Sequence, residues 1–151
     1  MKKLTLSNRK SSYLIINKYP HIPVHSDFKI SINSIELKRS KTIKYLGLWL
    51  DENINWLTHI KHLETILAKY TGMFYKIRKF VDTNALKTLY YSFIHSRLQY
   101  GIITWGIATK SALKELSVKL NNVIRAITYT RSYCKTSPLY SQLKFLKLIN
   151  Q

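Results

Sequence analysis

The sequence predicts an α+β fold, in which a small antiparallel β region near the N-terminus is followed by a helical bundle. Short apolar segments with a period of two lie between residues 12 and 50. From Trp56 onward, apolar residues recur every three or four positions instead. Apolar residues make up 46% of the 151 residues and aromatic residues 13%. The chain can therefore bury a core, which excludes a disordered basic arm.

Four segments of the N-terminal part have the pattern of strands. Asn33-Ser34 stands where a tight hairpin turn would join two of them, and Pro20 and Pro23 predict a loop, because proline disrupts both ladders and helices. Asp51-Glu52 indicates a turn with capping side chains. The candidate strands are residues 13–16, 29–32, 35–37 and 43–50.

A long amphipathic helix is predicted for residues 56–81. Its apolar positions step by four and three in alternation, while a second face carries mostly basic and small polar residues. The apolar face is Trp56, Ile60, Leu63, Leu67, Tyr70, Phe74, Ile77 and Val81. This predicted helix is the first of the chain and is labelled α1. Its second face, named the α1 basic face, is His62, Thr65, Lys69, Gly72, Lys76 and Lys79.

Three further helices follow in the second half of the chain. Asp82 and Thr83 are good N-cap residues for the next helix, and Thr109 or Ser111 would cap the one after it. That later helix has Lys119 and Arg125 on its outer face. Pro138 starts a short last helix. The inward positions are predicted to be Leu86, Leu89, Tyr90, Phe93 and Ile94, then Leu113, Leu116, Leu120, Val123, Ile124 and Ile127, and finally Leu139, Leu143, Leu146 and Ile149.

The segment between the first and second of these three helices is predicted to be a buried connector. Gly101 and Gly106 bracket three large apolar residues there. These are Ile102, Ile103 and Trp105.

The charge of the chain points to a polyanionic partner. There are 25 Lys and Arg residues against 7 Asp and Glu residues, a formal net charge of +18. Lys69 and Lys76 have no acidic residue within four positions, and Arg78 and Lys79 have only Asp82, unlike helices that alternate Lys and Glu. We interpret this stretch as a phosphate-binding surface, and the alternative is an ordinary solvated helix face.

The residues do not predict a catalytic or metal centre. Two-metal polymerase chemistry needs converging carboxylates, whereas Asp27, Asp51 and Asp82 lie in separate predicted loops. His59 and His62 have an H-x-x-H spacing and His95 is a further candidate, but zinc normally takes four ligands, and no second pair is present. We therefore predict no catalytic residue and no metal ligand.

The cysteine content and the length of the apolar segments indicate where the protein is located. Cys134 is the only cysteine, which fits a reducing compartment. No apolar segment approaches the roughly 20 residues of a membrane span, and the start of the chain is too polar for a secretory signal. We expect a nuclear or cytoplasmic protein that does not bind membranes.

Several motifs along the chain occur together in one known family. In order they are Lys44-Tyr45-Leu46-Gly47, Asp51 to Trp56 with His59-Ile60, residues 89–95 (LYYSFIH), Tyr100-Gly101 with Trp105-Gly106, residues 123–127 (VIRAI), and Ser137-Pro138-Leu139. Over roughly residues 8–148 the sequence resembles the reverse transcriptases of non-LTR, jockey-like retrotransposons. It departs from them at Asn121, where glutamine is usual, and it contains no aromatic-x-Asp-Asp motif.

This resemblance implies a division of the chain and a role for each part. Residues 1–54 would be the end of the polymerase palm with a primer-grip-like strand, and residues 55–151 a thumb-like region. Such a fragment would bind an RNA/DNA template-primer duplex and pair with the rest of a polymerase, but would be inactive alone. Mg²⁺ would be held by the missing palm motifs, so we expect no cofactor in this chain. The predicted nucleic-acid-binding residues are Lys44, Tyr45, Gly47, Lys69, Lys76, Lys79, Lys119 and Arg125.

Two other functions stay open at this point. The chain could be an independent basic α+β protein that coats nucleic-acid duplexes through counterion release. Alternatively, the heptad-like helix at residues 56–81 could be a protein-interaction module, although its length is borderline for an autonomous coiled coil. Gly47 also has a second interpretation, a strand glycine packed under that helix.

Overall fold

The structure is a computed structural model that describes residues 11–17, 28–32 and 34–143. The chain divides into two compact units, whose boundary lies between Thr58 and His59. The described part of the first unit contains the strands, and that of the second contains nearly all of the helices. This is the predicted α+β class. The predicted domain limit at residues 54 and 55 stays a prediction.

Six short strands form three separate pairs within the described ranges. β2 (Ser31–Ile32) and β3 (Ile35–Glu36) are antiparallel with Ile32 opposite Ile35, so the hairpin predicted at Asn33-Ser34 is confirmed, although Asn33 lies outside the described residues. β1 (Ser12–Tyr13) and β4 (Lys38–Arg39) pair in parallel, a departure from the predicted all-antiparallel region. The loop predicted at Pro20 and Pro23 also lies outside the described residues.

The predicted single strand over residues 43–50 is wrong, because the chain folds back within it. β5 (Thr42–Tyr45) and β6 (Leu48–Asp51) form an antiparallel hairpin with Tyr45 opposite Leu48. Leu46 and Gly47 form a two-residue turn with φ of 46° and 85°. Positive φ at both central residues is typical of a type I′ turn, whose twist matches that of the flanking strands.

A turn held by side chains joins β6 to the first helix. Asp51 is buried, and its Oδ1 accepts hydrogen bonds from the backbone N–H groups of Asn53 and Asn55, each at 3.1 Å. Asn55 Oδ1 in turn accepts from the N–H of Leu57 at 3.0 Å, at the helix start. The predicted turn and cap chemistry of Asp51 is confirmed, since both bonds satisfy N–H groups that would otherwise lack partners.

The helices follow the predicted order. α1 is Leu57–Ile77, and α2 (Thr83–Tyr90) begins at the predicted N-cap Asp82, whose Oδ1 accepts from Ala85 N–H at 3.0 Å. A π-helical turn (Tyr91–His95) then leads into α3 (Ser96–Gln99). α4 (Ile102–Trp105), α5 (Lys110–Thr128) with the predicted N-cap Thr109, and α6 (Ser137–Leu143) complete the described chain.

The core of the second unit comes from one face of each helix. α2 and α6 both pack against α5. The predicted buried connector from Gly101 to Gly106 contains the short helix α4 and is only partly buried, because Trp105 is 1% exposed whereas Ile103 is 89% exposed. Leu146 and Ile149 lie outside the described residues. The buried side chains include Leu63, Leu67, Phe74, Leu86, Tyr90, Ile94, Leu98, Leu116, Leu120, Val123, Ile124 and Ile127.

Within the described residues, none of the helices combines the length and the apolar character needed to cross a membrane.

Candidate nucleic-acid interface

The first predicted group of site residues lies at the tip of the β5–β6 hairpin. Lys44 and Tyr45 end β5, with Tyr45 60% exposed, and Gly47 is an exposed turn residue. Gly47 is therefore not a strand glycine packed under α1. Leu46 precedes it, 70% exposed and at positive φ, a conformation that is costly for a bulky L-residue. A cation, an aromatic ring and an apolar side chain are thus each exposed near the tip of the hairpin.

The second group lies on the α1 basic face. Lys69 and Lys76 are exposed on α1, and Lys79 is exposed just beyond its end. Gly72 lies between the two helical lysines, and a Cβ built on it would meet no atom within 4 Å. The backbone is open there, so a bulky polyanion could approach the helix closely between two cations. No ion pair involves these three lysines within the part of the chain that the structure describes.

A shallow groove beside Lys69 adds a cation that the sequence patterns did not reveal. It has a volume of about 340 Å³ and is lined by Ile66, Lys69, Tyr70, Met73 and Arg97. The guanidinium carbon of Arg97, on α3, is 6.0 Å from the centre of the Tyr70 ring. Helical spacing within α1 cannot show a residue from α3, so only the packing of the two helices places Arg97 here.

Lys119 lies in a different electrostatic environment. On α5 it is exposed, but it lies close enough to Glu64 to lower the pKa of that carboxyl group. The pKa of Glu64 is nevertheless raised overall, first by desolvation and then by Glu115, against the opposing effects of Lys119 and Lys61. Lys119 therefore belongs to a mixed cluster of both signs, unlike the lysines of the α1 basic face.

Arg125 makes its contacts with the chain itself. The half-buried guanidinium donates from Nη1 to Asn122 Oδ1 at 3.1 Å and from Nη2 to the carbonyl oxygen of Cys134 at 3.2 Å. It thus fastens the segment after α5 to the helix. Asn121, the position that departs from the resembled family, accepts a hydrogen bond from the hydroxyl of Tyr140 at 3.0 Å, which joins α6 to α5.

The histidines that the structure describes do not assemble a metal site. Among the residues described, no three His, Cys, Asp or Glu side chains are placed to hold a metal ion. His59 is 3% exposed, and its ring centre is 6.1 Å from that of Trp105. Burial, and secondarily His62, lowers the pKa of His59. Cys134 is a free, half-buried thiol.

Comparison with known proteins identifies relatives of the chain. The probable RNA-directed DNA polymerase from transposon X-element of Drosophila melanogaster is 25% identical over 126 residues, which cover 81% of this chain and 14% of that protein. The RNA-directed DNA polymerase from mobile element jockey of the same species is 27% identical over 122 residues, 79% of this chain and 13% of that protein. These polymerases are homologues of the chain. A third relative, the probable polymerase from transposon BS, is 26% identical over 125 residues.

The predicted resemblance to non-LTR retrotransposon reverse transcriptases is thereby confirmed over about four fifths of the chain. The chain spans about a seventh of the length of these curated relatives. No protein-family profile matches it. No solved structure matches it either.

Proposed function

We propose that this chain binds a template-primer duplex of RNA and DNA as the part of a reverse transcriptase that holds the duplex, and that it does not itself join nucleotides. The proposal rests mainly on the α1 basic face, where Lys69, Lys76 and Lys79 are exposed around the open backbone at Gly72. Homology to RNA-directed DNA polymerases supports a nucleic acid as the polyanion. Phosphate contacts of this kind position a duplex without reading its sequence.

In this proposal the two units contribute different contacts. The α1 basic face binds phosphates, which act through charge and counterion release. Tyr45 and Gly47 at the hairpin tip act as the primer-grip-like element, where the turn glycine permits close approach and the aromatic ring contacts sugar or base. Nucleotide transfer and its Mg²⁺ are assigned to other segments of such a polymerase, and the site of action to the nucleus or cytoplasm.

The alternative of a coiled-coil partner face is disfavoured by burial. Leu63, Leu67 and Phe74, which would form the seam, are 4%, 2% and 0% exposed. A coiled coil needs such residues free to enter holes on a partner helix. These three positions of the apolar face of α1 are already covered within the chain.

Charge neutralisation tests the proposal. Lys69, Lys76 and Lys79 are replaced together by glutamine, and binding to an RNA/DNA hybrid is measured by fluorescence anisotropy over a series of NaCl concentrations. Each lost phosphate contact reduces the slope of log K against log[NaCl] by about 0.9, so we expect a reduction of about two units or more.

The matched control removes the same charge elsewhere. Lys38, Lys110 and Lys135 are also exposed and lie outside the predicted interface. Their triple glutamine variant should retain most of the salt slope and affinity. Equal losses in the two triple variants would show that binding follows net charge alone and would overturn the proposed interface.

A further inference from the structure

Beside the α1 basic face lies an aromatic side chain that phosphate binding does not explain. Phe80 is 86% exposed, in the turn between α1 and α2. Isolated apolar residues are common on protein surfaces and need no function. Phe80 differs in two respects. Contacts hold its turn in place, and the exposed lysines Lys76 and Lys79 lie close to it in the chain.

On its N-terminal side, the turn is held by contacts of Arg78. Its guanidinium carbon lies between two aromatic rings, 4.6 Å from the centre of Tyr75 and 4.5 Å from that of Tyr129. Arg78 Nη1 also donates to the carbonyl oxygen of Ala126 at 3.3 Å, and the Tyr129 hydroxyl donates to the carbonyl oxygen of Arg78. The end of α1 is thus attached to the end of α5 by both side chain and backbone.

The turn itself and the start of α2 are held by hydrogen bonds. Phe80 N–H donates to the carbonyl oxygen of Ile77 at 2.9 Å, and two residues later Asp82 caps α2 through Ala85. The carboxylate of Asp82 is therefore directed to the helix start. A side chain on such a turn is presented to solvent with little backbone entropy left to lose on binding.

We propose that Phe80 stacks on an unpaired nucleobase while Lys76 and Lys79 contact the adjoining phosphates. Exposed aromatic rings next to a basic track bind single-stranded nucleic acid in this way, because every base has a π-face. The inference rests on the proposed function and adds to it a preference for duplexes that carry an unpaired nucleotide. The charge of the chain calls for an anionic ligand, and homology to polymerases favours a nucleic acid over an anionic lipid surface.

The test uses the full chain and two RNA/DNA hybrids of the same duplex sequence. One is blunt, and the other carries a single-stranded template overhang with 2-aminopurine at its first unpaired position. The wild-type chain should bind the overhang hybrid more tightly and quench the 2-aminopurine fluorescence. Phe80→Ala should weaken binding to the overhang hybrid by about 5- to 100-fold, leave the blunt hybrid unchanged, and abolish the quenching.

Two further variants separate stacking from general apolar contact. Phe80→Trp should retain the overhang preference, whereas Phe80→Leu should lose most of it, because leucine is apolar but has no π-face. Ile103→Ala is the matched control, since Ile103 is 89% exposed but has no charged residue among its neighbours from Gly101 to Gly106. It should bind both hybrids as the wild type does.

Several results would overturn the inference. Equal weakening on both hybrids by Phe80→Ala, or no change on either, would exclude base stacking while leaving duplex binding intact. Binding of anionic phospholipid vesicles that is lost in Phe80→Ala, with hybrid binding unchanged, would assign the ring to a membrane instead. Failure of the wild-type chain to bind either hybrid would instead refute the proposed function itself.

Discussion

At the scale of single residues, position in the fold decides whether a basic side chain is available for a ligand. Arg125 and Lys69 both lie on predicted outer helix faces, but Arg125 is half-buried and bonded to Asn122 and Cys134. Lys69 is exposed beside a groove. The same residue class therefore supports stability at one site and, in the proposed function, binding at the other.

Substitution of Arg125 should separate these two roles. Arg125→Gln loses the hydrogen bond to the Cys134 carbonyl, and bonds from charged donors contribute roughly 1.5–3 kcal/mol. We expect the free energy of unfolding to fall by about 1–3 kcal/mol in urea titrations. The salt slope of hybrid binding should stay unchanged. An Arg125→Gln variant with unchanged stability and a smaller salt slope would instead indicate that Arg125 contacts the nucleic acid.

Leu46 carries a cost of a different kind. Its φ of 46° is unfavourable for leucine, whereas asparagine tolerates this region and is favoured in two-residue hairpin turns. Because the side chain is 70% exposed, Leu46→Asn removes little packing. We expect stabilisation by about 0.5–1 kcal/mol in urea unfolding. Ile16→Asn is the control that should not be stabilised, because Ile16 is 52% exposed and does not have a positive φ. An unchanged or lower midpoint for Leu46→Asn would contradict this.

At the scale of elements, the long helices could be predicted from the sequence and the hairpin turn could not. The three- and four-residue spacing of α1 and α5 reflects one buried face over many turns, so local sequence is sufficient. In contrast, Leu46, Leu48 and Leu50 keep a period of two straight through the Leu46-Gly47 turn. Nothing in that alternation separates one strand of eight residues from two strands of four.

The parts of the candidate site that could not be predicted from the sequence depend on contacts between different helices. Arg97 approaches Tyr70 from α3, and the rings on either side of Arg78 come from α1 and from the residue after α5. The π-helical turn at Tyr91–His95 also shifts the register of the helical face, and Phe93, predicted to point inward, is 42% exposed and stacks on Tyr70. Such pairings have no signal in local periodicity.

The contact between the start of α1 and α4 should make stability depend on pH. The pKa of His59 is lowered from 6.5 in the folded chain, first by burial. Below about pH 6.5 the unfolded chain therefore binds more protons than the folded chain. The free energy of unfolding is then highest above that pH and decreases as the pH falls through it. Urea midpoints between about pH 8 and pH 5.5 should show this decrease.

Two histidine variants identify the source of this pH dependence. His59→Gln should flatten the profile, whatever its effect on absolute stability. His62→Gln should leave most of the dependence, because His62 is the smaller cause of the shift. A His59→Gln profile as steep as that of the wild type would assign the pH dependence to other groups.

At the scale of the whole molecule, the charge that suits a polyanion should oppose folding. The chain carries a formal charge of +18, and the two ion pairs within the described residues, Lys29–Glu36 and Arg39–Glu52, lie in partly or largely exposed positions. Exposed pairs contribute about 0–1 kcal/mol each, too little to offset repulsion among so many cations.

Added salt should therefore stabilise this chain. Screening lengths fall from about 14 Å at 0.05 M to about 4 Å at 0.5 M NaCl, so the melting temperature should rise by several degrees over that range in circular dichroism. The Lys38, Lys110 and Lys135 triple glutamine variant lowers the formal charge of +18 by three and should show a smaller rise. A melting temperature that falls with NaCl would mean that attractive pairs dominate, and the excess charge would then need no polyanion to neutralise it.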